Sequence, residues 1–386
     1  MSFSKQSLPK TVIVLGLVSL FNDMASDMIA PLLPVFLTAT LGAGPAALGL
    51  IEGVAEATAS LLKMYSGRLA DKGVGAKSLT LSGYIISNLS RPLLGAVASW
   101  PAALMLRFAD RAGKGVRTAP RDAIISSSVD EKLRGKAFGL HRSMDHTGAM
   151  IGPLAASGLL YMGYGVREVF YISFIFGSMA VALVAFGVRE PKQAPQPPVP
   201  PLTFKGLDPK LRGLIFAAGG LAFASAPEAF LVLWISATGV PLSLIPIVWA
   251  AAHMAKAAVA MPAGSLSDRV GRLPVASVFW FLRAAIVVVI PWFSGVYAAV
   301  GLFFVYSMAV AGSEGAERAL IGDSAAQHAK GAAFGLFHMV IGVAALPGAV
   351  LFGAAWELLG PAAAFTLSAA IMTLSAVIMI RTAASS

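Results

Sequence analysis

GRLADKGVGAKSL, from Gly67 to Leu79, returns in altered form as GSLSDRVGRLPV, from Gly264 to Val275. The two stretches begin 197 residues apart (264 − 67). A second pair, GKAFGLH from Gly135 and GAAFGLFH from Gly331, is offset by 196 residues (331 − 135). Two separate landmarks whose offsets agree within one residue indicate an internal duplication, so the chain is two copies of one plan. Each landmark lies between long apolar runs, and the plan follows from counting those runs.

Twelve runs can be marked, over about 11–37, 46–67, 78–97, 101–125, 136–161, 167–188, 211–237, 242–263, 274–292, 295–321, 332–356 and 361–381. A membrane-spanning helix needs about 20 apolar residues. The chain is 57% hydrophobic and 12% charged, against roughly 25% charged in a soluble domain. Too few charges are present to cover two or three soluble domains. The spacing therefore predicts an all-α polytopic membrane protein, twelve transmembrane helices arranged as two pseudo-symmetric six-helix bundles. The net charge of +10 would also fit a nucleic-acid binder, but the cations fall in short segments between apolar runs, as topology requires. With no cysteine, neither disulfides nor thiolate metal sites are available. The first run holds Asn22, Asp23 and Asp27 and no small-residue cleavage site, so it reads as a retained helix and not as a signal peptide.

Cations mark one side. Lys5 and Lys10 precede the first run; Arg68, Lys72 and Lys77 follow the second; Lys132, Arg134 and Lys136 follow the fourth; Arg269 and Arg272 follow the eighth; Arg381 ends the last. The opposite connections, such as TATLGAGPA and ATGVPL, carry almost none, with Arg167 as the exception. Both termini are therefore expected in the cytoplasm, in what we read as a bacterial inner membrane. The proline-dense stretch from Arg189 to Gly213 has linker composition. The expected organisation is a bundle over 1–188, a cytoplasmic linker over 189–212 and a second bundle over 213–386. Parallel six-helix repeats of this kind place a substrate site between the halves.

RFADRAGKGVRTAPRDA, Arg107 to Ala123, is the most charged of the runs. At about 100° per residue, Arg107, Asp110, Arg111, Lys114, Arg117, Arg121 and Asp122 fall within an arc of roughly 140°, opposite Phe108, Ala112, Val116, Ala119 and Ala123. Each charge at mid-bilayer costs at least about 2.5–3.5 kcal/mol, so this face is expected to line a wet cavity or to meet counter-charges. Arg107, Arg111 and Lys114 are placed deep, as substrate- or proton-coupling groups. Arg117, Arg121 and Asp122 are placed near the cytoplasmic surface, with Arg121 and Asp122 as a conformational latch.

Other spans add ionisable groups. Asp23 and Asp27 share a helical face, and paired carboxylates suit proton exchange; simple pairing with an arginine is the plainer alternative. Glu52, Glu56 and Lys63 share a face, with Glu56 as the deeper acid and a candidate counter-charge for the fourth-span cations. On the fifth span His141 and Asp145 lie with Gly148 and Gly152, while Arg142 and His146 point about 100° away, and either pair of faces is open as the cavity lining. The second half offers Glu228, His253, Lys256, Arg283, Glu314, Glu317, Arg318 and His338. Asp23, Asp27, Glu56, Arg107, Arg111, Lys114, Arg142, Asp145, His146 and Glu228 form the candidate coupling set. No metal-ligand spacing and no phosphate-cradling loop stands out, so no metal, cofactor or ATP is expected, and an ion gradient is the expected energy source.

These motifs resemble those of the major facilitator superfamily. The loop signature reads Gly67, Arg68, Asp71, Lys72 and Lys77, echoed by Gly264, Asp268, Arg269 and Arg272. The resemblance implies that Gly67, Arg68, Asp71, Lys72, Gly264, Asp268 and Arg269 act in a conformational latch. The fourth-span signature resembles Arg111-Ala-Gly-Lys114-Gly115-Val-Arg117-Thr-Ala119, with Lys114 where the family has Gln and Arg117 where it has Gly. Gly148-x-x-x-Gly152-Pro153 followed by Gly158 is similar to a helix-packing pattern of exporters and antiporters, and Pro31-x-x-Pro34 fits the first helix. The implied activity is secondary active transport by alternating access. The cation-rich fourth span adds a small anionic or zwitterionic organic substrate, with proton-coupled export as the direction. A cationic-drug antiporter, a carrier of a metal ion or metal chelate such as a siderophore, and a non-transporting receptor or scaffold are the rival readings. Expected partners are the solute, protons and the lipid bilayer, with no nucleic acid, and the expected state is a monomer.

Overall fold

The computed structural model describes residues 8–71, 74–130, 133–189, 204–205, 207–325 and 330–384. Twelve helices follow in order: α1 (Lys10–Thr40), α2 (Pro45–Asp71), α3 (Ala76–Leu93), α4 (Trp100–Ser127), α5 (Arg134–Tyr161), α6 (Val166–Gly187), α7 (Pro209–Ala237), α8 (Ile245–Val270), α9 (Arg272–Trp292), α10 (Val296–Ser324), α11 (Lys330–Leu359) and α12 (Pro361–Ala384). Among the described residues nine are long and apolar enough to cross a membrane. The other three, α3, α4 and α5, are those loaded with polar and charged side chains.

Breaks follow from local chemistry. Single glycines at φ +104° (Gly271) and +85° (Gly360) separate α8 from α9 and α11 from α12, a conformation in which a Cβ would be strained. Asp208 accepts from the Lys210 backbone N–H at 2.8 Å and Pro209 occupies the first turn, which starts α7. Two helices expected as continuous are interrupted. The regular part of α1 ends at Ile29, with Pro31 next, and resumes at Leu33. The regular part of α7 ends at Ala224 and resumes at Glu228 after Pro227. Proline lacks the N–H that a continuing helix would use and clashes with the preceding turn. The two prolines are 196 residues apart (227 − 31), the offset of the duplication.

By contact the described chain gathers into two compact units. The first holds Met1–Ala30, Leu62–Val97 and Met105–Val199; the second holds Pro31–Leu61, Ala98–Leu104 and Pro200–Ser386. In the first, α1 packs chiefly on α5 and α6, and α3 on α6. Val12, Leu15, Val18, Tyr84, Ile124, Ile125 and Val184 make its apolar core. In the second, α8 and α9 pack on α10, α11 on α7, and α12 on α7 and α9. Its fully buried side chains include Trp280, Phe230, Phe303, Tyr306 and Phe365.

The second unit also holds the first part of α2 against α11. A Cβ on Gly53 would stand 3.0 Å from the Leu346 Cα, and one on Gly353 would stand 3.1 Å from the Pro45 carbonyl carbon. Glu357 Oε2 accepts from the Ala46 N–H at 2.8 Å at the end of this seam. Small residues let two backbones approach this closely, and dispersion between them replaces the hydrophobic effect in lipid. Arg167, the exception among the cation-poor connections, donates to the Gly95 and Val97 carbonyls, the latter at 2.9 Å. It is held by the orphaned end of α3, which explains its departure from the charge rule. Of the linker, residues 190–203 and 206 lie outside the described residues, as does Lys72.

Candidate functional site

The polar centre of the first unit is made where α3 crosses α4. Gly83 and Gly113 face each other so closely that a Cβ on Gly113 would meet the Ser87 backbone N at 2.9 Å. That approach brings Ser87 and Arg91 of α3 against Asp110 and Arg117 of α4. Arg91 Nε donates to Asp110 Oδ1 at 3.0 Å, with both side chains 4% exposed or less. Arg91 also reaches the Asn22 side-chain oxygen at 3.1 Å, tying in α1. Arg107 and Arg111 stand 3.6 Å and 3.5 Å from Asp110 Oδ2. Ser87 Oγ donates to the Asp110 carbonyl at 2.9 Å and accepts from Arg117. Arg117 lies over the Tyr84 ring, 4.7 Å from its centroid, a cation–π contact that is strongest where water is excluded.

This arrangement places three of the sequence candidates. Arg117 is buried in the same network as Arg91 and Asp110, because the glycine crossing pulls its face of α4 inward. Lys114 is exposed, because the α3 contact is made by Asp110, Gly113 and Arg117 at helical spacing and Lys114 falls outside that stripe. Within the first unit the counter-charge of Arg107 and Arg111 is Asp110, on their own helix; Glu56, in the second unit, is exposed.

A second polar group lies where α1 crosses α5. Gly148 and Gly152 pack on the backbone of Leu20 and Met24. Asp145 is thereby brought to Ser19, whose hydroxyl donates to Asp145 Oδ1. The Asp23 and Asp145 carboxyls act on each other across this crossing. Asn22 Nδ2 donates to Asp23 Oδ1 at 2.8 Å, joining this pair to the arginine cluster. Asp27, Arg121, Asp122 and Arg142 supply the surrounding charges, with the buried His141 imidazole among them. His141 and Asp145 turn inward with the glycines, while Arg142 and His146 are exposed. Arg142 Nη1 bridges outward to Asp145 Oδ2 at 3.1 Å.

Among the latch candidates, Arg121 makes its bonds to the adjacent Asp122 at 2.9 and 3.1 Å. A Cβ on Gly67 would touch that of Ala119 at 3.3 Å, and Arg68 is half-buried. Nothing of the Asp71 side chain is described. In the second unit Arg272 binds Asp268 and, at 3.2 Å, Asp323, while Arg269 is exposed and Gly264 is half-buried. Glu228 is bonded to Lys256. Glu314 pairs with Arg318 at 3.3 Å, and Glu317 accepts from the Trp280 indole at 2.5 Å. Among the described residues no three His, Asp or Glu side chains converge as metal ligands.

Sequence reasoning passed over Arg91 and gave Asp110 no role in the candidate set. The available signal for Arg91 was a cation inside an apolar run, directly before Pro92.

The sequence profile of the Major Facilitator Superfamily matches residues 15–255. The chain is a member of this superfamily. It is 30% identical over 364 residues to an uncharacterized MFS-type transporter of Methanocaldococcus jannaschii, a match that covers 92% of this chain and 90% of that protein. A weaker likeness, 26% over 186 residues, links it to the multidrug resistance protein MdtG of Escherichia coli, with 47% of this chain and 45% of that one covered. In fold it is similar to the crystal structure of the nucleoside transporter NupG, with a TM-score of 0.81 at 15% identity over 96% of this chain and 99% of that one. The superfamily member described here is therefore an integral membrane transporter, and transport implies a small-molecule substrate.

Proposed function

We propose that this transporter exports a small organic anion in exchange for protons, by alternating access between its two six-helix halves, 1–188 and 213–386, with both termini in the cytoplasm. One observation carries the reading. Arg91 and Arg111 draw on a single carboxylate, Asp110, and Arg117 is buried beside them on a hydroxyl and an aromatic ring, neither of them charged. Buried cations in excess of their acids are costly, and an anionic solute supplies the missing charge. Arginine forks suit carboxylate and phosphate geometry. Arg111, at 13% side-chain exposure, and Arg107 are the groups that reach it. The Asp23 and Asp145 carboxyl pair is the coupling device, with Asp27 beside it. Asn22 is the relay, since it touches both Asp23 and Arg91.

The test is transport in liposomes of purified protein, with a panel of carboxylates and lipophilic cations. An outward anion flux driven by an inward proton gradient is the expected result. Arg111→Gln should abolish it. Asp23→Asn should retain downhill exchange of the anion and lose the response to the proton gradient. A lipophilic cation as the best substrate would reverse the charge reasoning and favour a drug antiporter, the reading to which the partial likeness to MdtG lends support.

A further inference from the structure

The second unit holds a cationic group that the reading above does not use. Arg283 of α9 is 8% exposed. One of its terminal nitrogens donates to Ser225 Oγ at 2.7 Å, and its guanidinium stands 5.9 Å from the Tyr306 ring centroid. Its Nε is buried with no hydrogen-bond partner. An unmade bond on a buried guanidinium costs about 1–3 kcal/mol or more, so its persistence calls for a partner that comes and goes.

The surroundings fit such a partner. Ser225 stands at the break in α7, and Glu228 begins the ten-residue helical segment Glu228–Ala237 beyond it. A helix start of this kind favours negative charge, and here the protein's own carboxylate takes the position. Glu228 bonds Lys256 of α8, and Lys256, His253 and Arg283 all act electrostatically on it. The Glu228 and Lys256 side chains remain 32% and 19% exposed, so the pair is open to a solute. Trp249 lies 6.0 Å below the Lys256 ammonium and 6.4 Å from the Phe303 ring. The site therefore joins two or three cations, one hydroxyl and an aromatic wall. The interruption at Pro227 falls one repeat offset after that at Pro31, and matching interrupted helices in two halves are where transporters of duplicated plan bind solute.

We propose that Arg283, Lys256 and Ser225 form an anion subsite in the second half, one that takes the carboxylate of an aromatic organic acid, and that Glu228 is a built-in stand-in for that carboxylate. When the acid arrives, its carboxylate takes over Lys256 and the unbonded Nε of Arg283, its ring lies over Trp249, which Phe303 backs from inside the core, and Glu228 is released. This rests on the reading that the substrate is an anion, and it narrows that anion to an aromatic carboxylate.

Benzoate is the probe, with neutral benzamide as the control, and binding is read by calorimetry on the full chain in detergent. Wild type should bind benzoate and not benzamide. Glu228→Gln should bind benzoate at least about tenfold more tightly, since a charge-assisted competitor has been removed. Arg283→Gln and Lys256→Gln should each lose binding by a similar factor or more. A gain of affinity cannot come from misfolding, so the Glu228→Gln arm stands even where the arginine variant is unstable. Weaker or unchanged binding in Glu228→Gln would overturn the stand-in. Benzoate binding lost in Arg111→Gln but indifferent to all three second-half variants would overturn this subsite and leave the anion reading intact. Benzoate binding in no variant, with lipophilic cations bound instead, would overturn both.

Discussion

Replacing Gly148 with Ala tests how the α1–α5 crossing sustains the carboxyl pair. A Cβ there would stand 3.0 Å from the Leu20 carbonyl carbon and 3.1 Å from its Cα, and closer still to its carbonyl oxygen. Carbon atoms pack best at about 3.5–4.0 Å, so α5 must withdraw from α1 by about 0.5–1 Å. Both contacts are backbone, which cannot rotate away. Overpacking of this kind costs about 1–3 kcal/mol. The same withdrawal stretches the contacts that Asp145, one turn before Gly148, makes to Ser19 and Asp23. Gly158, later on α5, has nothing within 4 Å of its would-be Cβ, and Ala there should stabilise by about 0.5–1 kcal/mol through its better helix propensity. The two substitutions are chemically identical and should move stability in opposite directions. Thermal unfolding in detergent reads the sign, and proton-driven flux in liposomes should fall for Gly148→Ala only. If Gly148→Ala kept both its midpoint and its proton coupling, the close crossing would not be what sets the Asp23–Asp145 contact.

Because the chain has no cysteine, a pair placed at Gly53→Cys and Leu346→Cys should crosslink on oxidation, arrest transport and recover on reduction. Undiminished flux in the crosslinked protein would mean that the α2–α11 seam stays shut through the cycle. Arg167→Ala strips two carbonyls of the turn after α3 of their donor, so it should lower stability by about 1–3 kcal/mol and leave the apparent affinity for solute unchanged. A shift in affinity would assign Arg167 to the transport path.

Much of the helix plan could be read from residue order. Apolar runs of bilayer length mark their own boundaries, since a buried polar backbone must bond within its own segment. The interruptions in α1 and α7 were harder to read. Pro31 and Pro227 were visible, yet proline in a spanning helix gives either a kink or a break, depending on what satisfies the freed carbonyls. At α7 these are Ser368, which donates to Ala224, and Tyr306, which reaches Ala226 at 3.4 Å, from helices far along the chain. Angular position put all the charges of α4 on one face, and distance along the helix grouped Arg107, Arg111 and Lys114 and set Arg117 apart. The fold reversed part of that order, because Gly83 and Gly113 decide which stripe of α4 meets α3.

Residue order alone thus settled the class of solvent, the duplication and the number of helices, all of which follow from local apolar content and from repetition. Which charges meet was decided only in three dimensions. Arg91 finds Asp110, Asp23 finds Asp145 and Lys256 finds Glu228 through contacts between different helices. The energy of a buried charge depends on what lies a few ångströms away across a helix interface, and glycines at the α3–α4 and α1–α5 crossings set that distance for the first two pairs.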